Sequence, residues 1–225
     1  TIYALSSGSG VSGVAIIRIS GQETSEVLKA LTSREIPKPR MATLRKINNT
    51  NTSELIDEGI IIWFPGPESY TGEDMAEIHI HGGKAVVLAV QNEISKIKNC
   101  RMAEPGEFTK LAFQNGKINL LKAESIADLI SAETEMQRLQ AVKIMKGKSS
   151  EKFNQLRDKL IKILSFVEAK IDFPDEDLPN NILKEIKKSS DDVLKNIEKI
   201  LNDQKVGERI REGFKIAILG PTNAG

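Results

Sequence analysis

A single cysteine, Cys100, in 225 residues excludes an internal disulfide framework and fits a reducing compartment. Aromatic residues are scarce at 4%, with one Trp, two Tyr and seven Phe, and there are only two histidines. A histidine-rich metal cage is thereby excluded; any further ligand has to be a carboxylate or Cys100. No apolar run approaches the roughly 20 residues that span a membrane. The N-terminus also lacks the basic and apolar regions of a secretion signal. An excess of one charge is missing too. The 32 Lys+Arg stand against 31 Asp+Glu, a net of +1, so a nucleic-acid surface would have to be a local patch. What remains is ordinary for a soluble globular chain, 40% hydrophobic and 28% charged, and long enough for one or two domains with a sizeable core. A cytoplasmic location without membrane association is the expectation.

The first half reads as mixed α and β. Ile2 to Leu5 and Val14 to Ile19 are short strands, and Thr24 to Leu31 has helical periodicity with Val27, Leu28 and Leu31 as its stripe. Ala42 to Ile47 and Leu55 to Phe64 form a hairpin pattern across the polar turn Asn48 to Ser53. Met75 to Ile80 is a further strand, Lys84 to Ile97 a helix, and Arg101 to Ala103 a last strand before Pro105. From there the character changes. A helix around Phe108 to Phe113 closes at Asn115-Gly116, and long helices follow over Leu120 to Met145, Ser149 to Ile171 and Leu183 to Leu201. Asp172-Phe-Pro-Asp-Glu-Asp177 reads as a turn between helices, broken by Pro174.

Two glycine loops bear on nucleotide chemistry. Phe214 to Leu219 reads as a buried strand running into Gly220-Pro-Thr-Asn-Ala-Gly225, the first six positions of G-x-x-x-x-G-K-[ST]. In that motif backbone N–H groups and a following helix N-terminus cradle phosphates. Gly8-Ser-Gly-Val-Ser-Gly13 fits the same spacing and the dinucleotide fingerprint, but it leads into a strand where the fingerprint needs a helix, and is rejected. The fold class is therefore α+β: a mixed-sheet domain over residues 1–115, an all-helical domain over 116–212, and the first strand and partial loop of a P-loop domain over 213–225.

The densest chemistry lies between Ser69 and Gly83. On a strand, Glu77, His79 and His81 share one face and Ile78 and Ile80 the other. Three readings stay open: a half-exposed polar strand face, a metal or acid–base site, or a pocket where Glu77 accepts hydrogen bonds from a heterocycle. A second feature is electrostatic. Between Gln137 and Ile163, eight basic residues (Arg138, Lys143, Lys146, Lys148, Lys152, Arg157, Lys159 and Lys162) face two acidic ones, Glu151 and Asp158, a local net of +6. It is either a solvated helix exterior or a surface for a nucleic-acid backbone.

Several long motifs carry a resemblance. They are Gly13-Val-Ala-Ile-Ile-Arg-Ile-Ser-Gly21, Trp63-Phe-Pro-Gly-Pro-Glu-Ser-Tyr-Thr-Gly-Glu-Asp74, Glu77 with His81-Gly-Gly83, and Pro105-Gly-Glu-Phe-Thr109. Asn115-Gly-Lys-Ile-Asn-Leu120, Ala123-Glu-Ser-Ile-Ala-Asp-Leu-Ile130, Ile171-Asp-Phe-Pro-Asp-Glu176 and Gly220 to Gly225 continue them in order. Together they resemble the MnmE (TrmE) family of tRNA-modification GTPases. The resemblance implies an N-terminal folate-binding and dimerisation domain, a helical domain, and a GTPase domain inserted into the helical one. It implies a homodimer that binds 5-formyl- or 5,10-methylene-tetrahydrofolate and works with MnmG (GidA), which brings FAD and NADH. The implied reaction adds an aminomethyl-type group to the wobble uridine of tRNA, coupled to GTP hydrolysis with potassium and magnesium. A non-catalytic folate-binding homodimerisation module is the alternative for this stretch of chain.

Position by position, the resemblance assigns folate contacts to Arg18, Glu77 and Lys117. A carboxylate at 77 suits the donor-rich edge of a pterin, and the two cations suit carbonyl, formyl or glutamate oxygens. From the residues alone, Arg18 also fits a strand-end ion pair and Lys117 a solvated cap. In the phosphate loop Gly220, Asn223, Ala224 and Gly225 are assigned to GTP phosphates, with Asn223 also contacting potassium. The loop Lys and Ser/Thr are absent from these 225 residues, so tight GTP binding and hydrolysis are not expected of them.

Overall fold

The computed structural model of the chain describes residues 1–8, 10–172, 182–202, 206–213, 217, 219 and 220. They fall into two compact units, residues 1–119 and those from 120 onward.

The first unit is built on six strands: β1 (Ile2–Leu5), β2 (Ser12–Ser20), β3 (Thr43–Asn48), β4 (Leu55–Phe64), β5 (Met75–Gly82) and β6 (Arg101–Met102). They form one sheet in the order β3-β4-β5-β2-β1-β6. Its pairs are antiparallel except β1 with β6. The alternation along the strands decides the two faces. Ala15, Ile17 and Ile19 of β2 are buried while Ile16 and Arg18 are half-buried, and on β5 Ile78 and Ile80 are buried while Glu77 and His79 are half-buried. Ile17, Ile78 and Ile61 stand side by side in register across three strands, each 0% exposed. Two helices cover this apolar face, α1 (Thr24–Thr32) with Val27, Leu28 and Leu31, and α2 (Lys84–Ser95) with Val90 and Ile94. A third helix, α3 (Glu107–Gln114), follows β6. Because β2 starts at Ser12, the glycine loop at 8–13 does lead into a strand.

Two details hold the β4 side in place. The carbonyl of His79 comes so close to Gly59 that a Cβ there would sit 2.2 Å from it, so only glycine fits at that point of β4. In the β3–β4 turn, the Asn49 side-chain oxygen accepts the N–H groups of Asn51 and Thr52 at 3.0 and 3.1 Å. That turn is tied to α2 through Glu93, a carboxylate only 4% exposed. It accepts bonds from Asn49 Nδ2 (3.0 Å), the Thr50 N–H (2.9 Å), Thr50 Oγ1 (2.6 Å) and Lys96 Nζ (2.6 Å).

The second unit is helical: α4 (Leu120–Ile130), α5 (Glu135–Met145), α6 (Lys148–Asp172), α7 (Ile182–Leu201) and α8 (Val206–Glu212). The single helix expected over Leu120 to Met145 is two. Thr134 starts the second with a capping box, accepting the Gln137 N–H at 3.3 Å while the Gln137 side chain accepts the Thr134 N–H at 3.0 Å. The short α8 has no counterpart in the sequence reading. Beyond Asp172, the expected turn to Asp177 lies outside the described residues, as does most of the expected strand from 214 to 219. Among the described residues, no helix is long and apolar enough to cross a membrane.

Candidate functional site

The polar face of the sheet carries the site. Antiparallel pairing sets Arg18 of β2 directly opposite Glu77 of β5. Arg18 donates to a single Glu77 oxygen, Oε1, from Nε at 3.1 Å and from Nη2 at 2.8 Å. Both side chains are half-buried, at 31% and 19% exposure. The other oxygen, Oε2, faces His79 Nε2 at 3.4 Å. Two rings flank the guanidinium: its carbon lies 5.9 Å from the Tyr70 centroid and 5.7 Å from the Phe108 centroid, within cation–π range.

The segment that supplies Tyr70 is stitched down at both ends. Ser20 Oγ meets Thr71 Oγ1 at 2.7 Å, the Gly66 N–H donates to Asp74 Oδ1 at 2.9 Å, and the peptide bond between Gly66 and Pro67 is cis. From the other side, α3 and the residues that follow it hold the same segment. Tyr70 Oη and Thr109 Oγ1 are 3.0 Å apart, Asn115 Nδ2 donates to the Thr71 carbonyl at 2.7 Å, and Lys117 Nζ donates to the Pro67 carbonyl at 2.7 Å. Gly72 has φ +82 where this segment turns, and a Cβ there would press on Asn115 and Lys117 at 3.3–3.4 Å.

Of the three residues assigned to folate, the structure joins Arg18 and Glu77 directly. Lys117 is bonded instead to the Pro67 carbonyl of the segment that carries Tyr70. Tyr70 and Phe108 were missed as site residues. The available signal was their rarity, since each sits within a long motif of a chain with 4% aromatic residues. His81, the third polar residue on the β5 face, turns to a different partner. Asp57 Oδ2 accepts its backbone N–H and Oδ1 lies 2.8 Å from its Nδ1, so an ionised Asp57 places the ring hydrogen on Nδ1. Burial alone would raise the Asp57 carboxyl, but the bonds from His81 and the Glu58 N–H outweigh it and leave that pKa below the usual value. Among the described residues, no group of three or more His, Cys, Asp or Glu is placed to hold a metal. Gly220 of the phosphate loop is exposed, and Asn223, Ala224 and Gly225 lie outside the described residues.

Chemically, the Arg18–Glu77 pair with its two rings suits a flat, hydrogen-bonding heterocycle. The rings offer stacking surface, Glu77 Oε2 offers an acceptor, and the guanidinium offers donors to a carbonyl.

Comparison with known proteins shows the family of the chain. Residues 1–117 match the family described as the GTP-binding protein TrmE N-terminus, and residues 120–215 match the MnmE helical domain. The chain is 76% identical over 225 residues to a protein of Pelagibacter ubique (strain HTCC1062) named tRNA modification GTPase MnmE. Proteins of the same name from Rickettsia bellii (strain OSU 85-389) and Rickettsia prowazekii (strain Madrid E) are 46% and 47% identical to it. Each alignment takes in 100% of this chain and 51% of the relative, so the chain spans about half the length of the curated relatives it matches. With a sheet domain over the first family match and helices over the second, the chain belongs to the TrmE (MnmE) family.

Proposed function

We propose that the chain is the folate-binding and helical portion of a GTPase that modifies the wobble uridine of tRNA. The observation that carries the folate reading is the Arg18–Glu77 pair set between Tyr70 and Phe108 on the polar sheet face. The name shared by the relatives supports the rest of the reading. In this reading a 5-formyl- or 5,10-methylene-tetrahydrofolate lies against those rings, with Glu77 accepting from its aminopyrimidinone edge and Arg18 and Lys117 donating to its oxygens. Bound there, the folate supplies a one-carbon unit for an aminomethyl group, and MnmG is the partner in its transfer. The first unit also forms the homodimer. Residues 213–225 begin a GTPase domain in which Gly220, Asn223, Ala224 and Gly225 wrap the phosphates with potassium and magnesium. The protein works in the cytoplasm.

The folate reading is tested by calorimetric titration of 5-formyltetrahydrofolate. Wild-type chain should bind, and Glu77→Ala should bind roughly 30- to 150-fold more weakly, the loss of a charged acceptor worth about 2–3 kcal/mol. Equal affinities would remove Glu77 from the site.

A further inference from the structure

Among the described residues, α6 and α7 enclose a groove of about 480 Å³ whose walls carry Lys152 and Lys159 from one helix and Lys199 from the other. Gln155 and Asn196 complete the polar lining, over an apolar floor of Leu156 and Ile200. No carboxylate is among the lining residues, although Glu151, Asp158 and Glu198 are close neighbours in sequence. Lys152 and Lys159 are seven residues apart on one helix face, about 10 Å along the axis. Two basic groups elsewhere in the helical unit are held in ion pairs, Arg138 with Glu135 and Arg211 with Asp128. Among the described residues, none is paired with Lys152, Lys159 or Lys199 in this way. Three like charges around one groove repel one another, and a polyanion laid between them relieves that repulsion.

The geometry points to this groove as a binding site for an RNA phosphodiester backbone. An open groove between two helices suits a chain of phosphates better than one small anion, because no buried donors converge on a single point in it. The amides match the other part of the ligand. Asn196 donates Nδ2 to the Asp192 carbonyl at 2.7 Å, which leaves its Oδ1 as an acceptor for a ribose hydroxyl. The site narrows the charged stretch seen in the sequence to Lys152 and Lys159 and adds Lys199, which lies outside it. The choice of tRNA as the RNA rests on the proposed function above.

The test is fluorescence anisotropy of an unmodified tRNA transcript over a KCl series. It compares wild-type chain, a Lys152→Gln/Lys159→Gln/Lys199→Gln variant, and a Lys184→Gln/Lys187→Gln/Lys188→Gln variant with the same charge change elsewhere on α7. The groove variant should lose at least tenfold in affinity at moderate salt. Its log–log salt slope should flatten by about 2–3, since each phosphate that a lysine no longer neutralises removes roughly 0.7–0.9 from the slope. The control variant should stay near wild type. Equal losses from both variants, or none from the groove variant, would overturn the site. So would displacement of the tRNA by polyglutamate at matched charge, which would make the groove a protein-docking surface. A wild-type chain that binds folate but no RNA overturns the groove and leaves the folate reading standing. RNA binding through the groove without folate binding overturns only the folate reading.

Discussion

Ile78→Ala should cost the sheet unit about 3 kcal/mol and lower its melting temperature by roughly 10 °C, with the loss read by circular dichroism. Ile78 is 0% exposed on β5, and its neighbours in register, Ile17 on β2 and Ile61 on β4, are 0% exposed as well. Truncating the middle of three aligned side chains leaves a cavity under α1 and α2 that a sheet hydrogen-bonded on both sides is poorly able to close. The cost is therefore the lost transfer energy plus the cavity. The position also faces away from Arg18 and Glu77 while its immediate neighbours on β5 are Glu77 and His79. A melting temperature within a degree or two of wild type would mean that this row is not the centre of the core.

Glu93→Ala is the second large effect, for an electrostatic reason. Its carboxylate is buried and accepts four hydrogen bonds, from Asn49, from Thr50 twice and from Lys96. Burial pushes its pKa up, but the bonds from Lys96 and Thr50 together outweigh burial and lower it from 4.5 to about 2. Removing the carboxylate strands these donors and unpins the β3–β4 turn from α2, at a cost of about 3 kcal/mol. The pH dependence follows from the lowered value. The stabilisation is fully present above the ordinary pKa of 4.5 and is lost as the pH falls through that value toward 2. Glu107, which Arg101 and the Glu104 N–H also hold at about 2, titrates in the same window. The informative quantity is thus the difference in urea midpoint between wild type and Glu93→Ala. It should be large and constant from pH 5 to 7 and shrink between pH 4.5 and 2. A difference that stays constant down to pH 2 would assign the effect to packing alone.

Much of the first unit was legible because β5 alternates polar and apolar residues, while β2 and β4 are short apolar runs bounded by turn residues. What one sequence does not declare is register. That Arg18 stands against Glu77, 59 residues away, depends on which strands pair and where, and the residues on either side of a strand are silent about it. Glu93 illustrates the same limit. It sits on a mostly apolar helix, and its partners Asn49 and Thr50 come from a hairpin turn more than 40 residues earlier. The merged helix over 120–145 has a different cause. Apolar residues keep recurring at three and four across Ser131 to Thr134, and that rhythm masked the Thr134-Glu-Met-Gln137 cap, which was there to be seen. The seven-residue α8 is too short for a periodicity to show. Of the site, Arg18, Glu77 and Lys117 came from motif resemblance, whereas the rings around Arg18 required the fold.

The scarcity of aromatic residues makes one measurement especially direct. The chain has two tyrosines: Tyr3, at 4% exposure in the core, and Tyr70, beside the Arg18 guanidinium. Tyrosine-selective labelling therefore yields an NMR spectrum with one ring signal from the core and one from the site. On titration with 5-formyltetrahydrofolate, the Tyr70 signal should shift and saturate while Tyr3 stays in place, and Glu77→Ala should weaken that response. A Tyr70 signal that does not move while the ligand binds, or one that moves equally in Glu77→Ala, would contradict a folate site built on the Arg18–Glu77 pair.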